Sequence, residues 1–435
     1  MADTPESPSP KPAEASQTPV VPGPVSRSGE GLGLVSLIAI GTVLLLTAFA
    51  TYQALATNNL PDFFIYRAGA AIGLRGESPY HIETIREEVA AQFTDETFIA
   101  NCGYFLPPGA ITVFAPFAAV PYPIAKVLWA IVVGLSAAGA VQLTRTFAAP
   151  LPPSPVALLL PALLLLNPLV TATVVVGQTS LLFVGCVAAG QWLFERGRPT
   201  VGALLWAIPF VKPHLALPLL PLAWYLGGWQ RAVAVAGVVA GLTLVGCLIA
   251  GGSPLFFREY LDFLGSGHKA VVFNQVALNP QITSWNRLLI ALGGPVIELT
   301  ATTTLAGYLV WLGLVLGRVA IGSVKPTAAW AVAAAAIGAL ECSQVLGYEL
   351  VLLMLVVPWA RELFAAKWQL RGWAVVCLMV AQFLPLEVFE PLGFESHRPV
   401  GVALLALVVL TGPLVPSHQG GGPNRDLFRV SHCAA

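Results

Sequence analysis

The chain alternates between long apolar stretches and short polar joints. Apolar runs fall near 32–55, 124–145, 155–172, 178–195, 231–251, 298–318, 326–344, 346–361, 371–387 and 398–416. Most approach the ~20 residues that a membrane-spanning helix needs. A further run covers 201–226, and Pro209, Pro213, Pro218 and Pro221 interrupt it. Proline removes a helical hydrogen bond and clashes with the preceding turn, so one straight helix is not expected there. Arg145, Arg196, Arg198, Arg231, Arg318, Lys325, Arg361, Lys367 and Arg371 stand at the ends of the runs. The bias of basic residues toward the cytoplasmic side assigns all of them to that side. A simple eleventh span through 201–226 would put Arg231 on the wrong side. Two helices that enter and return keep it inside. The expectation is therefore a broken, re-entrant hairpin with Lys212 near its tip. Non-helical backbone at membrane depth is tolerated only inside protein or beside a wet cavity, which predicts a cavity at Val211-Lys212-Pro213-His214.

This topology makes the N-terminus cytoplasmic and leaves two long outward loops, 56–123 and 252–297. Short outward turns lie near Gly177-Gln178, Glu341 to Gln344 and Glu387 to Arg398. The predicted fold is an all-α polytopic membrane protein. Its membrane domain, 31–416, holds about 10–12 transmembrane or re-entrant helices. Residues 1–30 ("PESPSPKPAEASQTPVVPGP" and its flanks) and 417–435 have too little apolar surface to fold, and are expected as disordered tails.

Composition agrees with lipid as the main solvent. The chain is 56% hydrophobic and 10% charged, with a mean hydropathy of +0.77. Soluble domains carry about 25% charged residues. Zero net charge gives no bulk field to recruit nucleic acid. The six cysteines (Cys102, Cys186, Cys247, Cys342, Cys377, Cys433) form no C-x-x-C pair. They read as buried apolar thiols, not a metal site or disulfide framework. No outward cluster has convincing metal-ligand spacing, and no cofactor is expected.

The candidate chemistry begins at "LPDFFIYRAGAAIGLRGESPY", Leu60 to Tyr80. Asn58 and Asn59 suit a helix cap and Pro61 its first turn, which puts Asp62 in that turn. An acid there either complements the helix dipole or does catalytic work. Tyr66 lies one turn on, on the same face. Arg67 and Arg75 read either as phosphate clamps or as solvated surface. In "NCGYFLPPGAITVFAPFAAVPYPIAKVLW" the prolines and aromatics suit an interfacial or re-entrant segment, with Tyr104 and Trp129 as interface anchors. Gln178, beside Gly177, either binds a sugar hydroxyl or satisfies turn backbone. Lys212, in the apolar "FVKPHL", is a functional candidate by default and needs an acid or a phosphate as partner. His214 follows it. The second outward loop offers Arg258, Glu259, Asp262, Asn274, Gln275, Trp285, Asn286 and Arg287, a mixture that suits carbohydrate or an ordinary wet loop. Glu341, Tyr348 and Glu349 gather at a late helix end, where an acid is available to Lys212 or Arg67.

No Walker A loop, no H-E-x-x-H and no large soluble domain is present. A nucleotide-sugar enzyme would usually need such a domain, whereas a lipid-linked donor would not. The stretches "DFFIYRAGAAIGLRGESPY", "FLPPGAITVFAPFAAVPYPIAKVLW", "NPLVTATVVVGQTSLLF", "RGRPTVGALLWAIPFVKPHLALPLLPLAWYLGGWQR" and Asn274-Gln275, in this order, resemble glycosyltransferase family 87. The resemblance implies a GT-C-type bundle that moves a hexose, mannose above all, from a polyprenyl-phosphate donor to a lipid or glycan acceptor. It implies an active site facing outward from the plasma (inner) membrane, with Asp62 as general base and Lys212 at the family's lysine-proline position. The family's late Ser-Pro…Trp…His pattern is replaced here by "ECSQVLGYELVLL", with Tyr348-Glu349 near the histidine position. Two rival readings remain at this point: a transporter or lipid flippase, and a catalytically degenerate family member.

Overall fold

The computed structural model describes residues 29–56, 60–148, 155–266, 275, 279, 281–297, 300–322, 324–384 and 397–412. The two terminal tails, apart from residues 29 and 30, lie outside these residues, as do Asn58, Asn59, Asn274 and Cys433. The described chain is helical. In order come α1 (Gly29–Ala56), α2 (Pro61–Leu74), α3 (Ile82–Ala90), α4 (Glu96–Ala100), α5 (Pro108–Ala118), α6 (Tyr122–Phe147), α7 (Pro155–Leu165), α8 (Pro168–Val176) and α9 (Ser180–Glu195). There follow α10 (Pro199–Ala207), α11 (Pro213–Ala216), α12 (Leu219–Gly251), α13 (Phe256–Ser266), α14 (Trp285–Ala291), α15 (Ala301–Ile321), α16 (Ala328–Cys342), α17 (Val357–Ala365), α18 (Gln369–Gln382) and α19 (Arg398–Thr411). A short 3₁₀ segment runs over Ile208–Val211 and a long one over Gly347–Val356.

Each apolar run of the sequence is met by a helix, although many are shorter than a membrane is thick. By length and composition, four helices among the described residues suffice to cross a bilayer: α1, α6, α12 and α15. The run at 155–172 is a bent pair, α7 and α8, turned by 52°. Asn167 makes that bend: its side chain accepts from the Leu169 N–H at 2.9 Å, and Pro168 opens the next helix. The outer faces of α1 and α15 expose Leu34, Leu37, Leu44, Leu55, Leu309 and Val310. Contiguous apolar surface of this kind suits lipid. Inside, small residues let helices close up. A Cβ built on Gly185 of α9 would stand 2.5 Å from the Ser136 backbone of α6.

The proline-rich run folds as a there-and-back hairpin. α10 climbs alongside α9, with the Trp206 indole donating to the Val187 carbonyl at 3.0 Å. Helix stops at Lys212, whose backbone (φ −122°, ψ 80°) has left the helical region because Pro213 follows it. The chain then returns through α11 and the first part of α12 to Gly227 and Gly228, where φ of 74° at Gly228 breaks the helix. Arg231, just beyond, donates to the Gln191 side chain at 2.9 Å and lies over Phe194 near the end of α9. The chain has thus come back to the level from which α10 set out. Tyr225 hydrogen-bonds the Pro326 carbonyl beside Lys325, so these basic residues share one end of the bundle.

Two expectations change, and a third falls on residues that are not described. Tyr104 and Trp129 are not interface anchors: both are buried, Tyr104 against Gly69 and Trp129 stacked on Phe63 with centroids 4.8 Å apart. The residue preceding α2 is Leu60, in a left-handed conformation with φ 80°, and its N–H is tied to the Val175 carbonyl at 3.2 Å. The Leu60 side chain makes no cap bond, and Asn58 and Asn59, read as caps, lie outside the described residues. Among the described cysteines Cys377 is exposed, and the others are buried and free as read.

Candidate functional site

Asp62 sits in the first turn of α2, a 14-residue helix about 21 Å long, short of a full span. The left-handed Leu60 swings this turn against the joint between α8 and α9. Gly177 closes α8 in the left-handed region (φ 76°), and Phe63 lies so near that a Cβ there would stand 2.6 Å from it. Only glycine suits both demands. The joint delivers the buried Gln178 side chain to Asp62: the amide N–H donates to Asp62 Oδ2. The amide oxygen accepts twice, from the Tyr66 hydroxyl at 2.9 Å and from Lys212 Nζ at 2.6 Å. Both acceptor positions of that oxygen are therefore filled, and the amide's orientation is fixed.

Lys212 comes from the helix break described above. Its ammonium also pairs with Glu349 Oε1 at 2.5 Å, and the Tyr348 ring lies 5.7 Å away. Glu349 stands in the first turn of the long 3₁₀ segment, where its other oxygen accepts from the Leu346 N–H at 3.0 Å. The Tyr348 carbonyl accepts from Thr173 of α8 at 3.2 Å. Lys212 and Glu349 are both buried, so each charge needs the other. Four separate stretches of chain thus converge on one chain of contacts, Asp62 to Gln178 to Lys212 to Glu349, with Tyr66 and Tyr348 beside it.

Asp62 is part-buried and ends this chain. Burial pushes its carboxyl up to about 6, opposed by the charge of Lys212 and the bond from Gln178. It is thus a carboxylate near neutrality, yet basic enough to take a proton. The cluster lies at the Ser180 end of α9, about 24 Å along that 16-residue helix from the Glu195 end where Arg196 and Arg231 gather.

Six residues singled out in the sequence meet here: Asp62, Tyr66, Gln178, Lys212, Tyr348 and Glu349. The others do not join them. Arg67 is spent on the end of α5, donating to the carbonyls of Phe117 at 3.1 Å and Val120 at 2.8 Å. Arg75 ends α2, thirteen residues or about 20 Å from Asp62, and pairs with Glu88 at 3.1 Å. Arg258 is exposed on α13, 3.7 Å from Asp262. His214 contributes its backbone carbonyl, which accepts from the Tyr308 hydroxyl. Asn274 lies outside the described residues, and the Gln275 carbonyl accepts from the Asn279 N–H at 3.0 Å. Asn286 is fully buried and satisfies the Ile297 carbonyl at 2.9 Å, so it ties its loop together. Glu341 is buried at the end of α16 and its Oε1 has no hydrogen-bond partner among the described residues. No group of three or more His, Cys, Asp or Glu with metal-holding geometry occurs among them.

Sequence reasoning passed over Ser180 and Tyr308. Ser180 directly follows the Gly-Gln-Thr joint and opens α9; a hydroxyl at a helix start was the available signal. Tyr308, midway along α15, carried none.

Residues 104–343 match the family model for glycosyltransferase family 87, a segment that includes Gln178 and Lys212, while Asp62, Tyr66, Tyr348 and Glu349 flank it. No curated protein and no solved structure matches the chain. An all-helical, membrane-type bundle whose match to that family extends over more than half of its 435 residues belongs to glycosyltransferase family 87, and is a glycosyltransferase.

Proposed function

We propose that the protein moves a hexose, mannose in the first instance, from a polyprenyl-phosphate donor to a lipid or glycan acceptor on the outer side of the plasma membrane. The carrying observation is Asp62, held by Gln178, which Lys212 and Tyr66 hold in turn. In the reaction the acceptor oxygen attacks the anomeric carbon and gives its proton to Asp62. The bond from that carbon to the phosphate oxygen breaks, and the lipid phosphate leaves with the electron pair. One displacement inverts the configuration at that carbon. General-base catalysis of this kind contributes about 10²–10⁴-fold. The lysine cation stands one amide away and opposes protonation of Asp62 before the acceptor arrives.

Orientation rests on charge. The basic residues Arg196, Arg231 and Lys325 share the end of the bundle remote from Asp62, and basic ends face the cytoplasm. The N-terminus is then cytoplasmic and the site outward. A lipid-linked donor suits this side, where the described residues are helices and short connections. Against a transporter, the buried lysine is locked to Glu349 at the end of α9 where Asp62 also stands.

The donor class is testable directly. Purified protein in liposomes, given radiolabelled polyprenyl-phosphate mannose and a panel of lipid and glycan acceptors, should transfer label with inversion. The same protein should give none from a nucleotide sugar. Transfer from the nucleotide sugar, or none from any lipid-linked sugar, would refute the donor.

A further inference from the structure

Of the four long helices α15 is the least buried, and its buried residues are Tyr308 and Trp311, which share one face. The Trp311 indole donates to the Ala334 carbonyl of α16 at 3.0 Å, an ordinary tie between neighbouring helices. Tyr308 reaches elsewhere: its hydroxyl donates to the His214 carbonyl in α11. That carbonyl needs a donor from outside its own segment. In a helix it would accept from the N–H of residue 218, and residue 218 is a proline. The preceding N–H groups are committed, Leu217 to the Pro213 carbonyl at 3.0 Å and Ala216 to the Lys212 carbonyl at 3.1 Å. Pro213 and Pro221 open gaps in the same way, at the carbonyls of Pro209 and Leu217. Those are closed locally, by the N–H groups of Lys212 at 3.0 Å and Leu220 at 3.2 Å. At His214 the missing donor comes from α15. The phenol also lies beside Ser343 and within electrostatic reach of Glu349. It thus stands between the two segments that carry the buried Lys212–Glu349 pair.

We propose that Tyr308 is a positioning residue for Asp62: by supplying the donor that Pro218 lacks, it fixes the helix break at Lys212 and keeps the lysine ammonium on Gln178. This role rests on the reading of Asp62 as the base. The route is short. His214 stands two residues after Lys212, Lys212 Nζ lies 2.6 Å from the Gln178 oxygen, and the Gln178 amide donates to Asp62. A positive charge at that place favours the ionised carboxylate, the form that accepts a proton. Glu349 works the other way. Tyr66, Tyr348 and Cys102 also face Asp62 and carry no charge at or below neutral pH. Without the phenolic hydroxyl, the His214 carbonyl turns toward another donor, and the break turns with it. The ammonium then draws away from Gln178, and Asp62 takes up its proton at higher pH.

The full chain in lipid nanodiscs, without substrate, allows a direct test. The infrared carbonyl band of protonated Asp62, identified by its absence from Asp62→Asn, is followed as pH is varied. Wild type should titrate with a midpoint of about 6. Tyr308→Phe, which removes the hydroxyl alone, should move the midpoint up by at least half a unit, about threefold in the proton equilibrium. Trp311→Phe removes a buried hydrogen bond from the same helix without touching α11, and should leave the midpoint in place even where it lowers stability. Pro218 already has helical backbone angles (φ −63°, ψ −15°), so Pro218→Ala restores a main-chain donor there. The double variant Tyr308→Phe/Pro218→Ala should bring the midpoint back. In transfer assays the acid limb of Tyr308→Phe should shift by the same amount, with donor KM little changed. A merely structural tyrosine would lower the rate equally at every pH. An unmoved midpoint in Tyr308→Phe, an equal shift in Trp311→Phe, or no recovery in the double variant overturns the role. The expected shifts, with no transfer by wild type from any lipid-linked sugar, would leave this positioning intact and defeat the proposed reaction instead.

Discussion

Asp62→Asn should lower sugar transfer by about 10²–10⁴-fold, the range that a positioned general base contributes. The amide cannot accept a proton at neutral pH. It is nearly the same size as the carboxylate, so α2 and its contact with Gly177 should survive. Gln178 would still meet an amide oxygen, and the neighbouring Lys212–Glu349 pair is untouched. Donor KM should therefore change little while kcat falls, the pattern of an interaction made in the transition state. Steady-state transfer of labelled sugar over a range of donor concentrations checks this. A large rise in KM with kcat intact would make Asp62 a donor-binding group instead.

The buried pair carries the second large effect. Lys212→Met strands the Glu349 carboxylate away from water, and Glu349→Leu strands the ammonium. Removing one partner of a buried pair costs about 3–5 kcal/mol, whereas replacing both by apolar groups is often close to neutral. Each single variant should thus unfold at clearly lower denaturant concentration in detergent. The double variant Lys212→Met/Glu349→Leu should be more stable than either single, although it leaves Gln178 without one of its two donors. The double-mutant cycle measures the coupling. Additive losses would mean that the pair is not a unit.

Much of this site could be read from the chain before any coordinates. Pro213 after Lys212 announces a helix break, and a lysine among apolar residues announces a partner acid. Glu349 is that acid. A glycine before Gln178 marks the turn that aims it. What could not be read depends on pairings across long separations. Arg67 ends on carbonyls fifty residues on, at Phe117 and Val120, and nothing local to it says so. Tyr104 packs on Gly69, so an aromatic that reads as an interface anchor is core. Leu60 adopts a left-handed conformation that its own side chain disfavours, held by the Val175 carbonyl. Helix lengths were also hidden. A hydropathy run gives the apolar extent, but Asn167-Pro168 divides one such run into two bent halves.

The proposed proton transfer to Asp62 carries an expected signature in pH. Burial raises its carboxyl from the ordinary carboxylate range to about 6, so the ionised form that the proposal requires is lost as pH falls through that value. The decisive measurement is the single-turnover transfer rate in proteoliposomes from pH 4.5 to 8, for wild type and for Asp62→Asn. Wild type should hold a plateau above pH 7 and drop about tenfold per unit below 6, while the variant's residual rate stays flat. An acid limb that persists unchanged in Asp62→Asn, or a wild-type rate indifferent to pH, would contradict the assignment of that carboxylate as the base.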